Sequence, residues 1–213
     1  MNDTPRKKGV IFDLDGTLWN TSARIVPAWN EVLASRGLRQ ITTEDMNSYM
    51  GKTPDGIVAM MLPDLPREEG LAVFAECVTA EDHYLRRHGG LLYPALEETL
   101  ALLRETYFLG IVSNCHTAYL DNFLDFHGLR HYFDDGETFG GTRKPKAENI
   151  RLLMERNSLQ SAVYVGDTAL DAQSAREAGI PFIFAAYGFG DVPDAMYVAQ
   201  SFADLPALVP QTV

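Results

Sequence analysis

The chain has 213 residues, 46% hydrophobic and 22% charged, a balance that suits a globular protein with one sizeable core and a small accessory unit. Its 29 acidic and 18 basic residues leave a net charge of −11, which argues against nucleic acid or an anionic membrane as a main partner; a small anionic substrate would need a metal or a few placed cations. Two cysteines, Cys77 and Cys115, suggest neither a disulfide framework nor a zinc site. No run of about 18 apolar residues occurs, and Met1–Lys8 is polar without an apolar signal region, so the expected location is cytoplasmic.

Val10-Ile11-Phe12 reads as a short strand buried on both faces. It ends in Asp13-Leu14-Asp15-Gly16-Thr17, two carboxylates that would be costly to bury together without a cation or an exchangeable proton. In isolation the same five residues read as an Asx-Gly turn. Residues 19–90 read as helical throughout. Ile25, Val26, Trp29, Val32 and Leu33 share one face, Thr42 or Thr43 caps a short second helix, Thr53-Pro54 starts a third and Pro66 a fourth, which stops at Gly89-Gly90. Four amphipathic helices with short connections form a bundle.

Beyond Gly90 the pattern alternates. Pro94 opens a helix, and Tyr107–Val112 is a strand ending in Ser113-Asn114. Leu120, Phe123 and Leu124 mark a helix, Tyr132-Phe133 is a weak strand, and a glycine-rich stretch leads to Lys144-Pro145. After one more helix, Ala162–Val165 is a strand ending in Gly166-Asp167, and a helix through Ala172, Ala175 and Ala178 leads to a last strand at Pro181–Ala185. The expected fold is α/β: a Rossmann-like parallel sheet core, residues 1–18 and 91–213, with an inserted α-helical bundle cap domain, residues 19–90.

Ligands of open parallel sheets bind beyond the carboxyl ends of the strands. There the reading collects Asp13, Asp15, Ser113, Asn114 and Asp167, with Lys144 in a loop before a helix. Carboxylates suit Mg2+, a hydroxyl and an amide suit phosphate oxygens, and a lysine offsets their charge. Asp167 and Asp171, four apart at a helix start, can face one cation.

These motifs, Asp13–Thr17, Val112-Ser113-Asn114, Lys144-Pro145 and Gly166–Asp171, resemble the haloacid dehalogenase superfamily, and within it the phosphatases with a helical cap after the first motif, phosphoglycolate-phosphatase-like. The resemblance implies that Asp13 is the nucleophile and Asp15 the general acid and then base. It also implies that Asp13, Asp167 and the Asp15 carbonyl hold Mg2+ with Asp171 in support, and that Ser113 and Lys144 hold the phosphoryl group with Asn114 nearby. Dehalogenases of the superfamily lack a counterpart of Asp15, so its presence favours phosphate esters. Asn20 stands where many capped relatives have Asp, and Lys144-Pro145-Lys146-Ala147 lacks a second proline common in the family.

The expected partner is a small-molecule phosphate ester, with the oligomeric state open and a monomer compatible with the sequence. Within the cap, Lys52 of Gly51-Lys52-Thr53-Pro54 is a candidate to bind the leaving group, and reads equally as a solvated turn lysine. His127 and His131 are separated by the helix-breaking Gly128 and are read as packing or surface residues, and Cys115 as an inert thiol. Tyr187-Gly188-Phe189-Gly190 resembles a segment of phosphoglycolate-phosphatase-like relatives that is a loop near the site, and reads equally as turn chemistry with aromatic packing. Two rival functions remain, a β-phosphoglucomutase-like phosphomutase and a catalytically silent binding or regulatory protein.

Overall fold

The structure, a computed structural model, describes residues 8–213; the rest of the polar amino-terminal stretch, residues 1–7, lies outside the described residues. The chain begins with β1 (Lys8–Phe12) and β2 (Trp19–Asn20), then α1 (Ser22–Ser35), α2 (Thr43–Tyr49), α3 (Pro54–Met61) and α4 (Arg67–His88). It continues through β3 (Leu91–Leu92), α5 (Leu96–Arg104), β4 (Phe108–Ser113), α6 (Thr117–Phe126), β5 (Asp135–Thr138), α7 (Phe139–Thr142) and α8 (Lys146–Arg156). The last elements are β6 (Ser161–Gly166), α9 (Ala169–Ala178), β7 (Phe182–Ala185), β8 (Tyr197–Ala199) and α10 (Leu205–Leu208).

Among the described residues, six strands form a sheet in the order β5-β4-β1-β6-β7-β8, every neighbouring pair parallel. β1 lies at the centre because its three apolar residues are covered on both faces. Val10 and Phe12 join the larger hydrophobic cluster, with Leu109, Val163 and the helical Leu100 and Phe123. Ile11 points the other way, to Ile150, Leu153 and Ala175 of α8 and α9. All three are fully buried, each worth roughly 1.5–3 kcal/mol. The chain runs from β1 to β4 on one side and returns to β6 on the other, so the order reverses at β1, where a crevice opens beyond the strand ends.

Three features depart from the sequence reading. Trp19 and Asn20 are extended, not helical, because they pair antiparallel with Leu92 and Leu91; the two connections to the helical insertion are thus joined as a ribbon. Tyr132 belongs to a 3-10 turn, and the strand is the polar Asp135–Thr138, an edge element with one neighbour whose sequence carries no apolar run. β8 closes the opposite edge and was not anticipated. The insertion is the bundle expected: α1 packs on α4 and α3 on α4, with Trp29 and Leu33 facing the side that buries Val73 and Cys77. No helix among the described residues is long and apolar enough to cross a membrane.

Candidate active site

Asp13 follows the last residue of β1, and its backbone N–H still donates to Val165 O at 2.8 Å, so the carboxylate is held rigidly between β4 and β6. Asp167 follows β6. Asp171 is the third residue of α9, where Thr168 caps the helix and Asp171 Oδ2 accepts from the Thr168 N–H and hydroxyl in return. Carboxylate oxygens of Asp13, Asp167 and Asp171 all lie within 4.8 Å of one another, and all three residues are buried.

The cation beside them is Lys146, not Lys144. Lys146 Nζ lies 2.9 Å from Asp13 Oδ1 and 2.6 Å from Asp171 Oδ1, with both partners almost fully buried. Lys144 is exposed: its N–H donates to Thr142 Oγ1, its carbonyl accepts from Asn149 Nδ2, and its side chain points to solvent. The reason is helical phase. Pro145 caps α8 and Lys146 is its first residue, so the second lysine of the Lys-Pro-Lys run projects to the strand ends. Burial works to lower the Lys146 pKa, but Asp13 and Asp171 outweigh it and hold the ammonium well above its usual range.

Burial pushes Asp13 up to about 7 against the pull of Lys146, and pushes Asp167 up to about 8, with Asp171 and Asp13 adding repulsion. Lys146 and Thr168 occupy both oxygens of Asp171. By contrast, Asp13 Oδ2 and Asp167 Oδ1 are buried without a hydrogen-bond partner. Buried carboxylate oxygens in want of positive charge, on residues whose carboxylates come within 4.8 Å of each other, are the donor set that a hard, oxygen-seeking divalent ion requires, so these residues fit Mg2+.

Asp15 stands at the cavity wall, and two residues missed in the sequence hold it. Tyr119 Oη donates at 2.6 Å and Trp19 Nε1 at 3.0 Å, both to Oδ1. Burial pushes Asp15 up to about 6, and these two hydrogen bonds restrain the rise. Trp19, four residues beyond Asp15, could have been suspected; Tyr119 comes from a distant helix and carried no local signal. Ser113 ends β4 with its hydroxyl 3.4 Å from the Cys115 N–H. Asn114 Nδ2 donates to the Gly51 carbonyl at 2.8 Å, fastening the α2–α3 loop of the insertion over the strand ends.

The Tyr187–Gly190 segment does reach the site. The Phe189 N–H donates to Asp167 Oδ2 at 2.7 Å. A Cβ on Gly188 would collide with the Asp167 side chain and the Gly16 carbonyl, so only glycine lets this loop close on the carboxylate. Burial pushes the Cys115 thiol up, in keeping with an inert thiol. Among the described residues no cluster of metal-ligating groups includes His127 or His131.

A family model described as haloacid dehalogenase-like hydrolase matches residues 10–185. The chain belongs to this family. It is 31% identical to a phosphoglycolate phosphatase of Agrobacterium fabrum, the match covering 100% of this chain and 97% of that one. It is also 31% identical to a phosphoglycolate phosphatase of Rhodobacter capsulatus, covering 93% and 94%. A haloacid dehalogenase-like family hydrolase from Streptococcus pneumoniae has the same fold, with a TM-score of 0.83 at 22% identity, covering 96% of this chain and 98% of that one.

In this hydrolase a cavity of about 400 Å³ adjoins the strand ends at Asp15, Ser113 and Asn114 and extends into the helical insertion. Lys52, exposed, lines it together with Arg143. Between α1 and α4 its wall is formed by the apolar Ile25, Trp29, Phe74 and Val78 together with Glu81 of α4.

Proposed function

We propose that this chain is a Mg2+-dependent phosphatase that hydrolyses a small-molecule phosphomonoester through an aspartyl-phosphate on Asp13. The observation that carries the reading is the pairing of Asp13 with Lys146 beside the unpartnered oxygens of Asp13 and Asp167, at the strand end two residues before Asp15, which lines the cavity. The names of the curated relatives support it, and make phosphoglycolate the first ester to assay.

In the first step a carboxylate oxygen of Asp13 attacks phosphorus as the bond to the leaving oxygen breaks, and Asp15 gives its proton to that oxygen. A carboxyl near 6 is well matched to this exchange. In the second step Asp15 takes a proton from water as the water oxygen attacks phosphorus, releasing phosphate and restoring the Asp13 carboxylate. Lys146 and the Ser113 hydroxyl hold the phosphoryl oxygens, and Asn114 assists while keeping the cap loop in place. Asp171 fixes Lys146 rather than touching substrate. Asp13, Asp167 and the Asp15 carbonyl would hold Mg2+, which supplies charge neutralisation for the transferring group.

Residues 19–90 act as the cap that excludes water over this site, and Lys52 at the cavity mouth binds the leaving group, meeting its anionic group where the ester carries one; a Lys52→Ala variant with unchanged KM toward every active ester removes that role. The whole reading is tested by phosphate release from a broad phosphoester panel with Mg2+ or chelator, on the native chain and on Asp13→Asn. Metal-dependent release lost in Asp13→Asn is expected. Isomerised product without free phosphate would indicate a mutase, and no turnover at all would indicate a silent site.

A further inference from the structure

The cavity is larger and less polar than a two-carbon acid requires. Its volume, about 400 Å³, lies in the range of roughly 300–1,000 Å³ typical of pockets that enclose drug-sized ligands. Beyond Asp15 it is walled by Ile25, Trp29, Phe74 and Val78 of the cap. In this wall sits Glu81, only 5% exposed. Its Oε2 accepts from Trp29 Nε1 at 2.6 Å, and the residue also faces the open space of the cavity. A carboxyl set in an apolar wall with open space before it offers a ligand a hydrogen-bonding site that the surrounding apolar side chains do not. No step of the phosphoryl transfer uses it. The cations of the cavity, Lys52 and Arg143, come from loops outside α1 and α4, so the part walled by those two helices presents the Glu81 carboxyl within an apolar shell.

We propose that the leaving group of the substrate is an aromatic or similarly bulky apolar alcohol carrying a hydrogen-bond donor, an amine or a hydroxyl, that docks on Glu81 between α1 and α4 of the cap. Glu81 is thus a specificity-determining residue, and phosphoglycolate fills only the mouth. This rests on the phosphatase reading for turnover, but not for binding. Burial, with the Asp15 and Asp82 charges adding to it, holds the Glu81 carboxyl well above its usual range, and an amine arriving there offsets that penalty with a charge-assisted hydrogen bond.

The test uses binding and turnover together. Non-hydrolysable 4-(aminomethyl)benzylphosphonate, 4-(hydroxymethyl)benzylphosphonate, benzylphosphonate and phosphonoacetate are titrated calorimetrically into the native full chain with Mg2+. The corresponding benzyl phosphates and phosphoglycolate are then assayed for phosphate release. The benzyl ligands are expected to bind at least about tenfold tighter than phosphonoacetate, with the better of the two donor-bearing ligands gaining about another tenfold, the size of one hydrogen bond to a charged group. The amine and hydroxyl arms distinguish the two donors. In Glu81→Leu, and in the isosteric Glu81→Gln, which keeps an acceptor for Trp29, the advantage of the donor-bearing ligand over benzylphosphonate should collapse by about tenfold. Tighter binding of phosphonoacetate, or an advantage untouched in both variants, overturns the proposal. Tight, Glu81-dependent binding without turnover of any ester upholds it and sinks only the phosphatase reading.

Discussion

Lys146 Nζ stands 2.9 Å from Asp13 Oδ1 with both side chains almost wholly buried, an ion pair at the carboxyl end of the central strand. Replacing the ammonium in Lys146→Met strands the Asp13 and Asp171 carboxylates, and breaking such a buried pair costs about 3–5 kcal/mol. Denaturant unfolding should show that loss, and kcat/KM should fall about 10²–10³-fold, the scale of removing one donor to the transition state. Lys144→Ala, on the exposed side of Pro145, should change stability by no more than about 0.5 kcal/mol. The opposite ranking of the two lysines would show that the wrong one has been assigned.

A second prediction concerns pH and metal. Burial pushes Asp13 and Asp167 up to about 7 and about 8 with Lys146 beside them and no metal ion bound, against roughly 3.9 in an unfolded chain. Between those values the folded state holds more protons than the unfolded one. The pair's contribution to stability is therefore fully retained below about pH 4 and declines as pH rises toward 8. A bound divalent ion offsets the repulsion that appears over that window. Thermal unfolding with Mg2+ and with chelator should show a larger Tm gain from Mg2+ near pH 8 than near pH 5.5, and Asp167→Asn should shrink it. An equal gain at both values would remove this pair as the cation site.

Tyr119 supplies a third. Its hydroxyl donates to Asp15 at 2.6 Å and favours the ionised carboxylate, so Tyr119→Phe should raise the Asp15 pKa. In the first step Asp15 acts as an acid. The alkaline limb of the kcat/KM profile for an alkyl phosphate should accordingly move to higher pH, with a rate loss of about tenfold from the freed carboxylate. A profile superimposable on the native one would detach Asp15 from this limb.

The fourth is steric. In Gly188→Ala the added methyl meets Asp167 and the Gly16 carbonyl, and overpacking of this kind costs about 1–3 kcal/mol. Activity should suffer more than stability, by about 10²-fold, since a small displacement at a reacting centre has that effect. Steady-state kinetics beside a Tm measurement separates the two, and a variant with native kcat would mean that the loop does not set the position of Asp167.

Much of this architecture was legible in the chain. Val10–Phe12 and Ala162–Val165 are contiguous apolar runs ending in acid, and a run of that kind can only be satisfied inside a sheet covered on both faces. Asp13, Asp15 and Asp167 followed from those strand ends. β5 and β8 did not, since an edge strand such as Asp135–Thr138 needs no apolar run when it has one neighbour and partial solvent. The Trp19–Asn20 ribbon was equally silent, because its partners, Leu91 and Leu92, lie across the whole helical insertion.

The order of chemical groups along the strands is thus a property of the sequence, because burial periodicity is local and each acid follows its strand directly. Which lysine meets Asp13, which aromatic residues hold Asp15 and where Glu81 ends up were decided by the tertiary structure. Apart from Trp19, which the β2–β3 ribbon places, each depends on the rotational phase of a helix against a sheet or another helix. A residue's neighbours in the chain do not specify that phase; the packing of α8, α6 and α4 does.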